Sequence, residues 1–192
     1  DPGWAYGLYF GILSTLTVAP RQSILFEGGF TPEATMAVLA QQGVTNFAAA
    51  PTVYRSLRTS GLTPGAGYAL RRASSAGEPL TPDVNLWAQD VLGLAVHDQY
   101  GQTEAGMLIN NHHHAALAAP IKEGSMGRVM PGWTATILHD DRDEEAAPGT
   151  TGRVAMVLPE SPLAWFSGYQ GDPAKSAEKF EGQGRWYVTG DT

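Results

Sequence analysis

Two short polar segments carry most of the side chains in this sequence whose types could do chemistry. Residues 74–79 include the carboxylate of Glu78, and residues 98–104 include two further carboxylates together with the hydroxyl groups of Tyr100 and Thr103. A hydroxyl group is a hydrogen-bond donor of small size, and a carboxylate is a hard oxygen ligand for a cation. Both segments are therefore candidate ligand sites.

The elements around these segments alternate between strands and helices. Short apolar runs predict the strands, and a proline that follows a capping threonine predicts a helix start. The predicted strands cover residues 23–26, 44–49, 69–75 and 94–99, and the predicted helices begin at residues 31, 51 and 81. Strict alternation with short links is typical of a parallel sheet covered by helices, whose ligands bind beyond the carboxyl ends of the strands. The two polar segments stand at two of those ends.

From about Gly124 the pattern becomes β-rich. Strands are predicted at residues 133–138, 152–158 and 185–188, with one short helix from Asp172. The fold class is therefore α/β, with a parallel sheet flanked by helices over residues 1–120 and a β-rich lobe over residues 121–192. Residues 140–145 contain five acids and one arginine, a net charge of −4, and are predicted to be a solvated hairpin tip.

Composition excludes several functional classes. The 192 residues include 12 basic and 19 acidic side chains, a net charge of −7, which argues against nucleic acid as a partner. The absence of cysteine excludes disulfides and thiolate chemistry. The longest apolar stretch, residues 7–20, is too short for a membrane span of about 20 residues. We expect a cytoplasmic protein without a membrane span.

Four motifs, in this order along the chain, resemble the adenylate-forming (AMP-binding) superfamily, specifically its acyl-CoA synthetases and most of all the medium-chain enzymes. They are Ser75-Ala76-Gly77-Glu78-Pro79-Leu80, Tyr100-Gly101-Gln102-Thr103-Glu104, Gly124-Ser125-Met126-Gly127 with Pro131-Gly132, and Trp186-Tyr187-Val188-Thr189-Gly190-Asp191. The segments at residues 1–4 and 50–54 also look like that family. The ordered set is far more specific than any one motif.

The resemblance implies an ATP-dependent acid–thiol ligase. In that family a carboxylate attacks the α-phosphate of ATP to give an acyl-adenylate and pyrophosphate, and the thiol of CoA then displaces AMP. The implied substrates are ATP, CoA and a small-molecule carboxylic acid, and the implied cofactor is Mg²⁺. Such chemistry needs charge neutralisation at the phosphates and a pocket that orients the acid.

The resemblance also assigns residue roles. Thr103 and Glu104 are the implied catalytic residues, Thr103 at the α-phosphate and Glu104 as a Mg²⁺ ligand, while Asp191 accepts hydrogen bonds from the ribose hydroxyls. The other implied nucleotide-binding residues are Gly77, Glu78 and Pro79 along the adenine, Asp98 near its exocyclic amine, Tyr100 stacked on its face, and the neighbouring Gln99, Gly101 and Gln102. The implied acyl and CoA pocket comprises Trp4, Ala76 and Gly101.

The identity of residue 101 bears on the acid. Family members specialised for acetate carry a tryptophan there, which shortens the acyl pocket, whereas Gly101 removes that wall. Each buried methylene is worth roughly 0.8 kcal/mol. We therefore expect a medium-chain or aryl acid in preference to acetate.

Two other functions stay open. Peptide-synthetase adenylation domains of the same superfamily show Tyr-Gly-Pro-Thr-Glu, and Gln102 in place of that proline favours the ligase. A noncatalytic nucleotide-binding module is the alternative from another class.

Other parts of the family pattern are expected outside this chain. They are the pyrophosphate loop, an arginine after Asp191 and the C-terminal domain with its catalytic lysine, so we expect the chain to be a central fragment that is inactive alone and able to form a homo-oligomer. Residues 149–152 imitate the missing loop but are predicted to be a turn into a strand. Residues 112–114, three adjacent histidines, are predicted to form a solvated loop and not a metal site.

Overall fold

The computed structural model describes residues 3–18, 22–24 and 26–192. The chain divides into two compact units. The first comprises Asp1–Tyr100 and Asn110–Gly127, and the second comprises Gly101–Ile109 and Arg128–Thr192. The chain enters the second unit for the last time after Gly127, whereas the sequence pattern predicts a single boundary at residue 120. The membership of residues 101–109 in the second unit is not visible in that pattern.

Helices and strands alternate in the first unit and strands dominate the second. The helices are α1 (α-helical Ala5–Gly7, π-helical Leu8–Leu13 and α-helical Ser14–Thr17), α2 (Pro32–Gln41), α3 (Pro51–Ser60), α4 (Pro82–Trp87, continued by the π-helical Ala88–Leu92) and α5 (Pro173–Ala177). The strands are β1 (Asn46–Ala49), β2 (Arg72–Ser75), β3 (Val96–Gln102), β4 (Gly106–Asn110), β5 (Arg128–Val129), β6 (Ala135–Leu138), β7 (Arg153–Val157), β8 (Phe180–Glu181) and β9 (Trp186–Val188).

The first unit is built on a parallel sheet in which β1, β2 and β3 lie in that order. The register pairs Ser75, the last residue of β2, with Asp98, which lies inside β3 because that strand continues to Gln102, beyond the end predicted at residue 99. The helices cover this sheet through a core whose most deeply buried members include Tyr54, Leu57, Val84 and Val96. The hydroxyl group of Tyr54 donates to the carbonyl of Ser74 at 2.9 Å, which satisfies a polar atom inside the core.

Most helix starts follow the sequence signals, and one predicted strand does not form. Thr31 caps α2 by accepting a hydrogen bond from the backbone N–H of Ala34 at 3.1 Å. Of the strand predicted at 23–26, residues 23, 24 and 26 belong to no strand, and residue 25 lies outside the described residues. Ile24 and Phe26 are half exposed, so these two described apolar side chains do not enter a core.

The second unit contains an antiparallel sheet with strand order β6-β7-β9-β8. Its core consists of Leu138, Ala155, Val157, Trp186 and Val188. Strands β4 and β5 also lie next to each other, and the backbone N–H of Met130 donates to the carbonyl of Leu108 at 2.8 Å. The predicted α/β class with a parallel sheet is confirmed.

Two turns of this unit match their predictions. Residues 140–145 form an exposed tip in which Arg142 pairs with Asp141 and Glu144. Residues 149–152 lead directly into β7, and a Cβ at Gly152 would overlap the carbonyl oxygen of Leu138. Glycine at position 152 is therefore required by this close backbone approach.

Among the described residues, no helix is long and apolar enough to cross a membrane.

Candidate functional site

The Thr103-Glu104 pair lies at the tip of a tight hairpin between β3 and β4. The backbone N–H of Ala105 donates to the carbonyl of Gln102 at 3.1 Å, and Gly106 supplies the left-handed conformation that closes the turn, with φ of 72°. Thr103 is exposed and Glu104 is half-buried. The turn therefore presents a hydroxyl group and a carboxylate outside the sheet.

Gln102 links this hairpin to the end of β9. Its side-chain amide donates to the carbonyl of Thr189 at 2.8 Å and to the carboxylate of Asp191 at 2.9 Å, and its oxygen accepts from the hydroxyl group of Tyr187 at 2.8 Å. These bonds bring Asp191 to the hairpin from almost ninety residues further along the chain. We name Gln102, Thr103, Glu104, Tyr169, Tyr187 and Asp191 the hairpin cluster.

Glu104 has a phenolic partner. The hydroxyl group of Tyr169 donates to Oε1 of Glu104 at 2.7 Å. This hydrogen bond lowers the pKa of Glu104, with Lys179 and Lys175 adding a smaller electrostatic contribution, and it raises the pKa of Tyr169 to about 12. Glu104 is therefore a carboxylate at neutral pH, and one of its oxygens is already occupied by a neutral donor.

Burial holds Tyr187, and a hydrogen bond holds Lys179, next to the other residues of this cluster. Tyr187 is buried in β9, and this burial, followed by the nearby Glu104, raises its pKa. The ammonium group of Lys179 donates to the carbonyl of Thr189 at 2.8 Å. Tyr187 is thus a neutral phenol that holds Gln102, and Lys179 provides a positive charge close to Glu104.

A second group of predicted site residues assembles in the first unit at the ends of β2 and β3. The indole of Trp4 lies against Gly77, where an added Cβ would stand 2.8 Å from the ring, and Gly77 has φ of 94°. The ring of Trp4 also packs 5.1 Å from that of Tyr6, whose hydroxyl group donates to Gln99 at 3.0 Å. We name Trp4, Tyr6, Gly77, Asp98 and Gln99 the strand-end cluster.

Asp98 connects β3 to the segment that follows β2. Its carboxylate accepts from the backbone N–H of Gln99 at 3.1 Å and also receives a hydrogen bond from the backbone of Leu80. Burial nevertheless dominates and raises the pKa of Asp98 to about 6. Asp98, inside β3, is thus a carboxylic acid whose pKa lies within about one unit of neutral pH.

Glu78 is held differently from Asp98. It is exposed, and it pairs with Arg55 and accepts a hydrogen bond from Thr52, both on α3. These bonds lower its pKa, that from Thr52 most. The remaining residues of the two segments divide by burial: Ala76 is buried, Tyr100 half-buried and Pro79 exposed.

The three adjacent histidines do not all behave as a solvated loop. His114 is exposed, but His113 stacks on His97 with ring centroids 3.7 Å apart and places Nε2 at 2.9 Å from the hydroxyl group of Ser74. The prediction of a solvated loop is therefore wrong for His113, because its flat neutral ring stacks on the ring of His97 and is half-buried. Burial lowers the pKa of His113 to about 4, and it lowers the pKa of His97 as well.

Gly101 has a steric role that the sequence does not show. A Cβ at this position would overlap the carbonyl oxygen of Gly106 and stand 2.8 Å from the Cα of Met107. The two arms of the hairpin therefore approach so closely that only glycine fits. Any larger residue must first move the turn that carries Thr103 and Glu104.

Sequence reasoning missed Tyr169, Tyr187 and Lys179 as neighbours of the predicted site. For Tyr169 the available signal was the segment Gly168-Tyr169-Gln170-Gly171-Asp172-Pro173, in which a turn precedes a helix start, whereas Tyr187 stands within the fourth motif without an assigned role. Within the described parts of the chain, no group of three or more His, Cys, Asp or Glu side chains could hold a metal ion. A cation at Glu104 would need its other ligands from a substrate or from water.

Comparison with known proteins identifies the family. Residues 1–169 match the AMP-binding enzyme family, so the chain belongs to it. Human mitochondrial acyl-coenzyme A synthetase ACSM3 is 32% identical over 192 residues, with coverage of 100% of this chain and 32% of that protein. The acetyl-coenzyme A synthetase of Bacillus subtilis (strain 168) is 34% identical over 199 residues, with coverage of 100% and 33%.

The fold agrees with a solved relative. The crystal structure of Brucella canis acyl-CoA synthetase superposes with a TM-score of 0.87 at 42% identity, covering 100% of this chain and 34% of that one. The resemblance to acyl-CoA synthetases is therefore confirmed. The chain spans about a third of the length of the curated relatives it matches.

Proposed function

We propose that this chain carries nucleotide-binding and adenylation residues of an ATP-dependent acyl-CoA synthetase. In the first step a carboxylate oxygen bonds to the α-phosphorus of ATP and pyrophosphate leaves with the electrons of the broken P–O bond. In the second step the sulfur of CoA bonds to the acyl carbon, AMP leaves and the thiol proton is released. Family membership and the hydrogen-bonded hairpin cluster support this reaction.

The hairpin cluster would act on the phosphates and the ribose. The exposed hydroxyl group of Thr103 can donate to an α-phosphate oxygen, where negative charge grows during attack. The carboxylate of Asp191, oriented by Gln102, can accept both ribose hydroxyl groups. The positive charge of Lys179 lies near enough to lower the pKa of Glu104 and contributes to the local field.

Glu104 fits the implied Mg²⁺. Mg²⁺ prefers hard oxygen ligands and usually takes only one or two protein carboxylates beside phosphates and water. Glu104 is one ionised carboxylate whose Oε1 accepts from Tyr169. Bound there, Mg²⁺ would neutralise charge on the ATP phosphates.

The strand-end cluster would recognise the adenine and border the acyl group. Asp98 can accept from the exocyclic amine, the segment of Gly77, Glu78 and Pro79 can lie along the base, and Tyr100 can stack on its face. Trp4 packs directly on Gly77, the residue after Ala76 in the chain, which supports the assignment of Trp4 and Ala76 to an acyl and CoA pocket. The neighbouring Gln99 is oriented by Tyr6.

We further propose a medium-chain or aryl acid as the substrate, in a cytoplasmic enzyme. Gly101 places no side chain where acetate-specific family members carry a tryptophan. An added Cβ would overlap the carbonyl oxygen of Gly106, so a larger residue at this position needs a different hairpin conformation. The acetyl-coenzyme A synthetase of Bacillus subtilis is also a relative, so acetate is the competing substrate to test.

One observation carries the proposal, namely the hydrogen bonds through which Gln102 joins the hairpin to Asp191. The test is carboxylate-dependent exchange of pyrophosphate with ATP, measured on the protein made from the complete reading frame. We expect exchange with octanoate or benzoate above that with acetate, and a loss of about a hundredfold or more in Glu104→Gln. Exchange that is independent of every carboxylic acid, or equal for acetate and octanoate, would contradict the activity or the preference respectively.

A further inference from the structure

The phenol of Tyr169 lies where it can control Glu104. Its hydroxyl group is 2.7 Å from Oε1 of Glu104, and the two residues are separated by 65 positions in the sequence. Glutamate has three side-chain torsions and loses up to about 2 kcal/mol of rotamer entropy when it is fixed. A donor on one oxygen removes part of that freedom before any ligand binds.

Tyr169 is itself anchored from three directions. Its backbone N–H donates to the hydroxyl group of Ser176 at 2.7 Å, and that hydroxyl group donates to the carbonyl of Asp172 at 2.6 Å. The ammonium group of Lys175 stands 4.8 Å from the centre of the tyrosine ring. The ring of Phe166 packs against it edge-on at 5.0 Å.

The backbone geometry of the neighbouring Gly168 also fixes the position of Tyr169. Gly168 has φ of 138°, and a Cβ there would stand 2.8 Å from the hydroxyl oxygen of Ser176. The carboxylate of Asp172 accepts from the backbone N–H of Lys175 at 3.0 Å and so caps α5. The whole segment from Gly168 to Ser176 is thus organised around the placement of one phenol.

We propose that Tyr169 is a positioning residue that orients the carboxylate of Glu104 so that its second oxygen faces a divalent cation bound with the nucleotide. This rests on the proposed function, in which Glu104 ligates Mg²⁺. Partners of metal-ligating carboxylates typically contribute tenfold to a hundredfold in metal affinity. The expected effect here is smaller because Tyr169 lines an open cleft of about 620 Å³ and is half exposed.

The direct test measures cation affinity in place of turnover. Mn²⁺ serves as the probe, and its binding to the protein–ATP complex, using protein from the complete reading frame, is followed by water-proton relaxation. We expect Tyr169→Phe to raise the dissociation constant for Mn²⁺ about threefold to tenfold. Affinity for ATP without a divalent cation stays at the wild-type value.

The matched control removes a different phenol. The hydroxyl group of Tyr68 donates to the carbonyl of Leu92 at 3.1 Å in the first unit. Tyr68→Phe therefore also removes one hydrogen bond donated by a phenol, at a position far from Glu104 in the sequence. We expect wild-type Mn²⁺ affinity in this variant. A weakening equal to that of Tyr169→Phe would overturn the specific role of Tyr169.

A double mutant separates the two levels of the proposal. If Tyr169 acts through Glu104, Tyr169→Phe has no additional effect on Mn²⁺ affinity in the Glu104→Gln background. Wild-type affinity in Tyr169→Phe, with weakened affinity in Glu104→Gln, would overturn the positioning role and leave the proposed metal site intact. Wild-type affinity in Glu104→Gln would overturn the metal assignment itself.

A second variant guards against a folding defect. Ser176→Ala removes the anchor of the Tyr169 backbone while it leaves the phenol in place. We expect it to weaken Mn²⁺ binding by less than Tyr169→Phe, about twofold to threefold. A lower melting temperature with unchanged Mn²⁺ affinity in both variants would show a purely structural role and would contradict the proposal.

Discussion

The hairpin cluster and the strand-end cluster are positioned by different physical means. In the strand-end cluster, parallel register sets Ser75 beside Asp98, and close packing sets Trp4 against Gly77. In the hairpin cluster, side-chain hydrogen bonds connect residues far apart in sequence, from Gln102 to Asp191 and from Glu104 to Tyr169. The first arrangement is fixed by backbone and volume, whereas the second depends on a few polar atoms.

The carboxyl groups of the two clusters have pKa values shifted in opposite directions. Burial raises the pKa of Asp98, while hydrogen bonding lowers the pKa of Glu104. One carboxyl group is therefore ready to be protonated below about pH 6, and the other stays ionised. These opposite shifts are consistent with the recognition role proposed for Asp98 and the cation-binding role proposed for Glu104.

The largest effect is expected at Gly101, in the β3 arm of the hairpin. Gly101→Ala places a methyl group against the backbone of Gly106 and Met107, so the hairpin must shift. We expect the free energy of unfolding to fall by about 3 kcal/mol, the upper end of ordinary overpacking. Urea denaturation measures it, with Gly29→Ala as the control because an added Cβ there meets no atom within 4 Å.

Gly101→Ala also tests the interpretation of residue 101 as an acyl-pocket wall. If the residue only borders the acyl pocket, the variant keeps its stability and changes the preferred acid. If the hairpin cannot accept a side chain, adenylation falls for every acid alike. An unchanged urea midpoint would contradict the close approach of the two strands.

A smaller loss is expected when the hydrogen-bonding side chain of Gln102 is removed. Gln102→Leu leaves the hydroxyl group of buried Tyr187 without its acceptor, and a buried unsatisfied group costs about 1–3 kcal/mol. We expect about 2 kcal/mol less stability together with weaker nucleotide binding. Gln89→Leu is the control, since Gln89 is exposed and bonds only within its own helix.

The sequence predicted both clusters only in part. Alternation of strands and helices predicted that β2 and β3 lie side by side and parallel, and the structure pairs Ser75 with Asp98. It could not predict Tyr169, because one tyrosine in a turn carries no signal of a carboxylate 65 positions away. The apolar run at 23–26 failed as a strand because composition does not reveal whether a partner strand exists.

The smallest of these effects is a pH dependence at Asp98. Its pKa in the folded state, about 6, is above its ordinary value of 3.8, so the folded state holds the proton more strongly. This carboxyl group therefore contributes most stability at low pH and loses it as pH rises from about 4 to 6. The ion pair of Arg55 and Glu78 is exposed and is not among the causes of the pKa shift of Asp98.

Asp98→Asn isolates that contribution. The amide keeps an oxygen that can accept from Gln99 and stays neutral at every pH. A full shift of two units corresponds to roughly 3 kcal/mol, and partial solvent screening reduces the expected gain above pH 7 to about 1 kcal/mol. Urea melts at pH 4, 6 and 8 measure it, and a variant that follows the wild-type pH profile would show that burial does not control this group.

The most direct measurement is calorimetric binding of nonhydrolysable octanoyl-, benzoyl- and acetyl-adenylate analogues to protein from the complete reading frame. The account predicts that Asp191→Asn weakens octanoyl-adenylate binding at least tenfold, since hydrogen bonds to a charged group contribute about 1.5–3 kcal/mol. Asp90→Asn, at an exposed aspartate in the first unit, should bind as the wild type does. Equal affinity of the wild type and Asp191→Asn would contradict the assignment of the hairpin cluster to the nucleotide.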